Sequence, residues 1–186
     1  MEPLRLFGEF LCHPKRTSAV LPTGRRNARR ITNMIPDSAQ TIVEYGPGTG
    51  PVSQAIVEEG KLEDNGMLIL IEKSPKMAAY LRRKFRFEPR VKIFCDSAEN
   101  VTQILQECGR THADRILASI PFSAIPEPVR GTIMRTTREV LERDGIFIVF
   151  LYRKCVGTYL RETFGDVTEK SYLKEASPLR VFVART

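Results

Sequence analysis

The sequence predicts an α/β fold: one mostly parallel sheet with helices on both faces and an antiparallel hairpin at its C-terminal end. Three observations carry that expectation. Apolar runs of strand length alternate with segments whose apolar residues recur at helical spacing, the arrangement of strand–helix–strand units. The first run, Thr41-Ile-Val-Glu-Tyr45, enters a loop with glycines at 46, 48 and 50 and then a helical pattern opening at Pro51. The last two runs, Val167 to Leu173 and Leu179 to Ala184, are separated by a break at Ser177-Pro178, as in a hairpin.

At 186 residues and 42% apolar content the chain can bury one core, and it reads as one domain. Within it, residues 1–36 form an N-terminal amphipathic and basic cap and residues 37–186 the body that carries the sheet. Much of the formal charge of +7 lies in the cap, where Arg5, Lys15, Arg16, Arg25, Arg26, Arg29 and Arg30 face only Glu2 and Glu9. Such a patch favours an anionic partner, either lipid headgroups or nucleic acid; charge alone does not separate these from a plain solvated face. Cys12, Cys95, Cys108 and Cys155 are scattered and His13 and His112 isolated, so neither disulfides nor a metal centre is expected. Met1-Glu2-Pro3 opens no signal peptide, and the longest apolar run, Ile146 to Tyr152, has the length of a strand. The expectation is a cytoplasmic protein that does not span a membrane.

Taken in order, Leu4 to Leu11 places Leu4, Phe7, Phe10 and Leu11 at helical spacing beside Lys15 and Arg16. This stripe either enters the headgroup boundary of an anionic membrane or closes over the body of the protein. Arg25 to Met34 reads as a helix with Ala28, Ile31, Met34 and Ile35 on one face, ended by Pro36-Asp37; Thr23 before it is placed to help hold a ligand. Strand one follows at Thr41, and Pro51 suits the first turn of the next helix, with Val52, Ala55 and Ile56 inward. Asn65-Gly66 marks a turn into a second strand, Met67 to Glu72. Ser74-Pro75 starts a helix with Met77, Leu81 and Phe85 inward and Arg82, Arg83, Lys84 and Arg86 largely outward. Val91 to Asp96 is strand three, and the helix after it carries Val101, Ile104, Leu105 and Cys108 in register. Asp114 to Ile120 is strand four. Pro128 opens a helix with Val129, Ile133, Val140 and Leu141 on one face, and Arg143-Asp144-Gly145 turns into strand five, Ile146 to Tyr152. With the hairpin, the strands number seven.

The glycine loop is the expected ligand site, because glycines at alternate positions permit positive φ and let a ligand lie against bare backbone. A pyrophosphate binder would want free N–H groups at the helix start, yet the third position of the dinucleotide pattern holds Pro51, which has no N–H. A cationic cofactor without phosphate would not miss that donor, and Glu44 at the strand end would suit it. Glu72, 22 residues after Gly50, ends strand two where a carboxylate can accept from both ribose hydroxyls. Asp96 at the end of strand three either meets the adenine amino group or caps the next helix. Ser119-Ile120-Pro121-Phe122 ends strand four; Phe122 offers an aromatic face for stacking or cation–π attraction, or plugs the core.

Glu44-Tyr-Gly-Pro-Gly-Thr-Gly50 resembles motif I of class I S-adenosylmethionine (SAM) methyltransferases, and Ser119–Phe122 stands where amino methyltransferases carry Asn/Asp-Pro-Pro-Tyr or Asn-Leu-Pro-Tyr. Serine in place of the amide removes a two-way hydrogen-bonding group that would read a nucleobase nitrogen. The whole is similar to small bacterial phospholipid N-methyltransferases through Pro14 to Thr23, Glu44 to Gly50, Ile120-Pro121-Phe122 and Phe150-Leu151-Tyr152. That resemblance implies a Rossmann-like seven-stranded methyltransferase sheet and SAM as cofactor. It implies cofactor contacts from Thr23, Glu44, Tyr45, Gly46, Pro47, Gly48, Thr49, Gly50, Glu72, Lys73, Asp96, Ser97 and Ala98. The reaction implied is attack of a lipid amine, of the phosphatidylethanolamine type, on the sulfonium methyl, around Ser119, Ile120, Pro121, Phe122 and Tyr152. Backbone carbonyls near Ser119 and Ile120, or the Tyr152 hydroxyl, would receive the proton, and Phe122 with Tyr45 would hold the methylated cation. The partners implied are a lipid headgroup and the anionic inner face of a membrane met by the N-terminal basic segment. The alternative enzyme readings are adenine N6-methylation of ribosomal RNA, opposed by Ser119 and by the lack of a helical domain after the sheet, and methylation of a small molecule. An inactive SAM-binding module docked on membranes is the non-enzymatic one.

Overall fold

In a computed structural model, residues 23–151, 156–172 and 179–186 are described. Helix α1 (Arg25–Thr32) precedes β1 (Ala39–Tyr45), α2 (Pro51–Glu58), β2 (Leu62–Ile71), α3 (Pro75–Lys84) and β3 (Val91–Phe94). A 3-10 turn (Ala98–Asn100) leads to α4 (Val101–Glu107) and β4 (Ala113–Ala118), and a second (Phe122–Ala124) to α5 (Glu127–Val140) and β5 (Leu141–Leu151). Then come α6 (Gly157–Phe164), β6 (Asp166–Tyr172) and β7 (Leu179–Arg185). The strands form one seven-stranded sheet in the order β3-β2-β1-β4-β5-β7-β6, in which β7 runs antiparallel to both neighbours.

The reversal of strand order beside β1 is what makes a site. β1 pairs with β2 on one side and β4 on the other, so Val43 lies between Ile69 and Ile116. The chain leaves β1 toward one face and β4 toward the other, and a crevice opens at the carboxyl ends of these strands.

Alternation along each strand splits the core into two layers. Ile42, Leu68, Leu70 and Ile148 pack with Ala28 and Ile31 of α1, Val52 and Ile56 of α2 and Leu81 of α3. Val43, Ile69, Ile116 and Phe147 pack with Ile104 of α4, Ile133 of α5 and Leu160 of α6. Strands buried on both faces are near-continuous apolar runs for this reason. β6 is exposed along most of its length, and its Asp166, Glu169 and Lys170 suit an outer edge.

Several element limits differ from the sequence reading. α1 ends at Thr32 rather than Met34, where the chain tightens into i→i+3 hydrogen bonds from the Met34 N–H to the Ile31 carbonyl and from the Ile35 N–H to the Thr32 carbonyl. Asn65-Gly66 and Arg143-Asp144-Gly145 are not turns before strands; they lie within β2 and β5. Ala39 and Thr41 of β1 face Leu62 and Met67, and Ala113 and Arg115 of β4 face Leu141 and Ile146, so the outer strand bulges in each pair. Glycine is needed at both bulges: a Cβ on Gly66 would lie 2.8 Å from the Ala39 carbonyl oxygen, and one on Gly145 would lie 2.8 Å from that of Glu142. α6 has no counterpart in the sequence reading, although Val156, Leu160 and Phe164 sit at helical spacing and are buried. Leu4–Leu11, Pro14–Pro22, Cys12, Cys155 and Ser177-Pro178 lie outside the described residues.

Candidate active site at the glycine loop

Gly46, Gly48 and Gly50 all adopt positive φ, at 66°, 58° and 69°, which is why three glycines stand at alternate positions. The loop they form is held from four sides. The Gly46 N–H donates to the Ile71 carbonyl at 2.9 Å, and the Gly50 N–H closes a turn onto the Pro47 carbonyl at 2.8 Å. Ser119 Oγ, from the end of β4, donates to the Gly46 carbonyl at 2.6 Å. Glu72 Oε2, from the end of β2, accepts from the Gly48 N–H at 3.2 Å. Lys84 Nζ, from the last turn of α3, donates to the carbonyls of Thr49 at 2.8 Å and Gly50 at 2.9 Å.

Beneath the loop lies Glu44, 1% exposed, which accepts from Ser53 Oγ of α2. Burial raises its pKa to about 7; the Ser53 hydrogen bond and the Lys84 charge work against the rise. Glu72 also has a raised pKa, mainly through burial, opposed by hydrogen bonds from the Ser74 and Gly48 backbones. Burial lowers the pKa of Lys84, while Glu44 and Glu58 favour its charged form. Two carboxyl groups and one ammonium thus stand around a loop whose helix begins with proline.

The other expected residues divide. Pro47 and Gly50 are buried and Thr49 is half-buried in the same loop, and Ile120 caps Gly46, where a Cβ would come within 2.6 Å of its Cγ2. Asp96 Oδ1 accepts from the Ser97 N–H at 2.6 Å and Asn100 Nδ2 at 2.8 Å, so this oxygen is tied to both ends of the segment containing Ala98. Ser97 Oγ donates to Glu99, and Lys73 is exposed beside Glu72. Thr23 is buried and lines a cleft of about 290 Å³ between α1, α2 and α3, together with Arg25, Arg29, Thr49, Glu58 and Lys84. Tyr152 lies outside the described residues.

Two aromatic side chains named from the sequence, Phe122 and Tyr45, lie in the core and away from the loop's opening. Phe122 is 1% exposed and belongs to the apolar layer under α4–α6, so its ring is not offered to a substrate. Tyr45 is fully buried in that layer, where its hydroxyl meets Thr137 Oγ1 at 3.1 Å and its ring lies 6.4 Å from Phe147; burial pushes its pKa up. In a strand, Tyr45 must point opposite to Glu44, and Glu44 already occupies the face toward α2 and α3.

Three residues escape the sequence reading: Ser53, Lys84 and Arg130. The pattern puts Lys84 on an outward basic face, whereas it turns in to the loop; its i+3 spacing from Leu81 on the buried stripe is the available signal. Arg130 of α5 lies over the Tyr159 ring at 3.9 Å and reaches the carbonyls of Phe122 at 3.5 Å and Ile125 at 3.3 Å, tying the segment after β4 to α6.

The residues fit SAM. A Cβ on Gly48 would meet nothing within 4 Å, in contrast to Gly46 and Gly50, so the loop is open at its centre. Glu72 beside that opening can accept from ribose hydroxyls, and the absence of an N–H at Pro51 speaks against a pyrophosphate. No family model matches the sequence. The chain is 26% identical over 167 residues to the ornithine lipid N-methyltransferase of Singulisphaera acidiphila, covering 87% of this chain and 84% of that protein. Among solved structures, TrmN from Thermus thermophilus has a TM-score of 0.68 at 12% identity over 87% of this chain, which spans about half (48%) of that protein's length. The glycopeptide N-methyltransferase MtfA complexed with SAM has a TM-score of 0.56 at 15% identity, covering 87% of this chain and 66% of MtfA. Strand order, glycine loop and sequence relative together make this chain a class I SAM-dependent methyltransferase.

Proposed function

We infer that the methyl acceptor is the primary amine of a membrane lipid headgroup. The observation that carries this reading is the identity with an ornithine lipid N-methyltransferase across most of both chains. Ornithine lipids and phosphatidylethanolamine share an amine attached to two apolar chains, so the acceptor class covers both. When bound, SAM supplies a methyl already activated as a sulfonium, and the protein's work is alignment and exclusion of water. The glycine loop, Glu72 and the end of β3 would hold the cofactor, and Ser119, Ile120 and Pro121 would border the acceptor.

An ammonium at neutral pH must lose a proton before its nitrogen can attack. Residues 119–126 contain no titratable side chain, so in our reading the ammonium gives its proton to water, while backbone carbonyls of this segment accept hydrogen bonds from the remaining N–H groups and aim the lone pair. The basic residues Arg25, Arg26, Arg29 and Arg30, with Lys15 and Arg16 earlier in the chain, support an anionic membrane face as the place of action. Among the described residues no helix is long and apolar enough to cross a membrane.

The test is transfer of radiolabelled methyl from SAM to phosphatidylglycerol vesicles containing phosphatidylethanolamine, ornithine lipid or neither, with ribosomal RNA in a parallel reaction. Label in either aminolipid, and none in plain vesicles, is expected. Label in RNA alone, or in no acceptor despite tight binding of S-adenosylhomocysteine, would overturn the lipid reading.

A further inference from the structure

We propose that Lys84 is a positioning residue for the cofactor: its ammonium fixes the second half of the glycine loop by gathering the Thr49 and Gly50 carbonyls onto one charge. The inference rests on the cofactor and holds whatever the acceptor. Two consecutive carbonyls that converge on one point repel each other unless a donor stands there. Lys84 Nζ stands there, at 2.8 Å and 2.9 Å. The Gly50 carbonyl also accepts from the Gln54 N–H at 3.1 Å, the first turn of α2, so the same atom joins helix α2 to helix α3.

The rest of α3 is shaped to the same purpose. A Cβ on Gly50 would lie 2.9 Å from Leu81 Cδ2 and 3.2 Å from Phe85 Cε2, so the side chains flanking Lys84 press directly on the loop backbone. The Lys84 ammonium lies 5.3 Å from the Phe85 ring centroid, beside this apolar contact, and reaches the loop carbonyls. Glu58 and, when ionised, Glu44 favour the charged form of the head against the effect of its partial burial. Loop and α3 are therefore tied together by both polar and apolar contacts. Without the ammonium, the turn Pro47–Gly50 keeps its internal hydrogen bond, the Gly48 N–H bond to Glu72 and the Gln54 N–H bond to the Gly50 carbonyl, but the Thr49 and Gly50 carbonyls lose their shared side-chain donor and the second half of the loop is less firmly fixed. Cofactor hydroxyls and backbone must then be ordered at the moment of binding, which lowers affinity.

The test compares Lys84→Met and Lys84→Arg with the parent enzyme by calorimetric titration of S-adenosylhomocysteine and by thermal unfolding without ligand. Charge-assisted hydrogen bonds are about twice as strong as neutral ones, so losing two should weaken binding about tenfold or more in Lys84→Met. Lys84→Arg, which keeps charge and donors, should recover most of that loss. At saturating SAM, kcat should stay within about twofold, the loss appearing as a raised KM for SAM and not for the acceptor. A purely structural role predicts the opposite pattern: a lower melting temperature with unchanged affinity. Unchanged affinity in Lys84→Met overturns the proposal, and so does equal weakening in both variants.

Discussion

Alanine at each glycine of the loop separates what the backbone requires from what the ligand requires. All three positions have positive φ, so each substitution carries the left-handed penalty of about 1–2 kcal/mol. Only the surroundings differ. At Gly48 a Cβ meets nothing, and the cost should remain near that penalty. At Gly50 the new methyl presses on Leu81 Cδ2 and Phe85 Cε2, the far ends of two side chains that can yield by a few tenths of an ångström. At Gly46 it would sit 2.6 Å from Ile120 Cγ2, on a β-branched residue held between β4 and Pro121, and overpacking of this kind adds about 1–3 kcal/mol. In a protein of this size each kcal/mol lowers Tm by about 2–4 °C. Thermal unfolding without ligand should therefore rank Gly46→Ala as least stable, then Gly50→Ala, then Gly48→Ala, which should lose only about 2–8 °C. With saturating S-adenosylhomocysteine the order should change, because Gly48→Ala fills the open centre of the loop and should lose most of the ligand-induced rise in Tm. Equal destabilisation by Gly46→Ala and Gly48→Ala, or a full ligand-induced rise in Gly48→Ala, would refute the geometry drawn for this loop.

Three further perturbations test other parts of the site. Because the folded pKa of Glu44 is raised from 4.5 to about 7, the folded protein holds its proton more tightly than the unfolded chain; stability should fall as pH rises through that window, and chemical denaturation should show a flatter profile in Glu44→Gln. Tyr45→Phe removes the hydroxyl facing Thr137 and should lower stability by about 1 kcal/mol while leaving S-adenosylhomocysteine affinity unchanged; a large loss of affinity would restore Tyr45 to the cofactor surface. Arg130→Met should speed hydrogen exchange across residues 122–126, whose carbonyls at 122 and 125 it holds, without altering cofactor affinity in calorimetry.

Much of the fold is legible along the chain because its signals are local. A strand buried on both faces must be apolar at nearly every position, a helix lying on it must be apolar every third or fourth, and these periods alternate from Thr41 to Tyr152. The loop Gly46–Gly50 is legible for the same reason, since positive φ at three alternate positions selects glycine with little regard to the rest of the molecule. Asn65-Gly66 and Asp144-Gly145 carry turn composition, but whether such a sequence precedes a strand or bulges within it depends on pairing partners that a window of sequence does not contain.

What the sequence by itself determined is the class of cofactor: a glycine loop followed by Pro51 and a carboxylate ending the second strand describe a site for a cationic nucleoside without phosphate. What only the tertiary structure decided is which side chains face that site. Glu44 and Tyr45 are neighbours in sequence and point to opposite layers; Phe122 stands in a loop and is consumed by the core; Lys84 belongs to a basic run and turns inward, to carbonyls more than thirty residues earlier. The direction of a side chain is set by the strand's alternation and by the helix packed above it. Both are long-range contacts, and residue type and spacing do not record them.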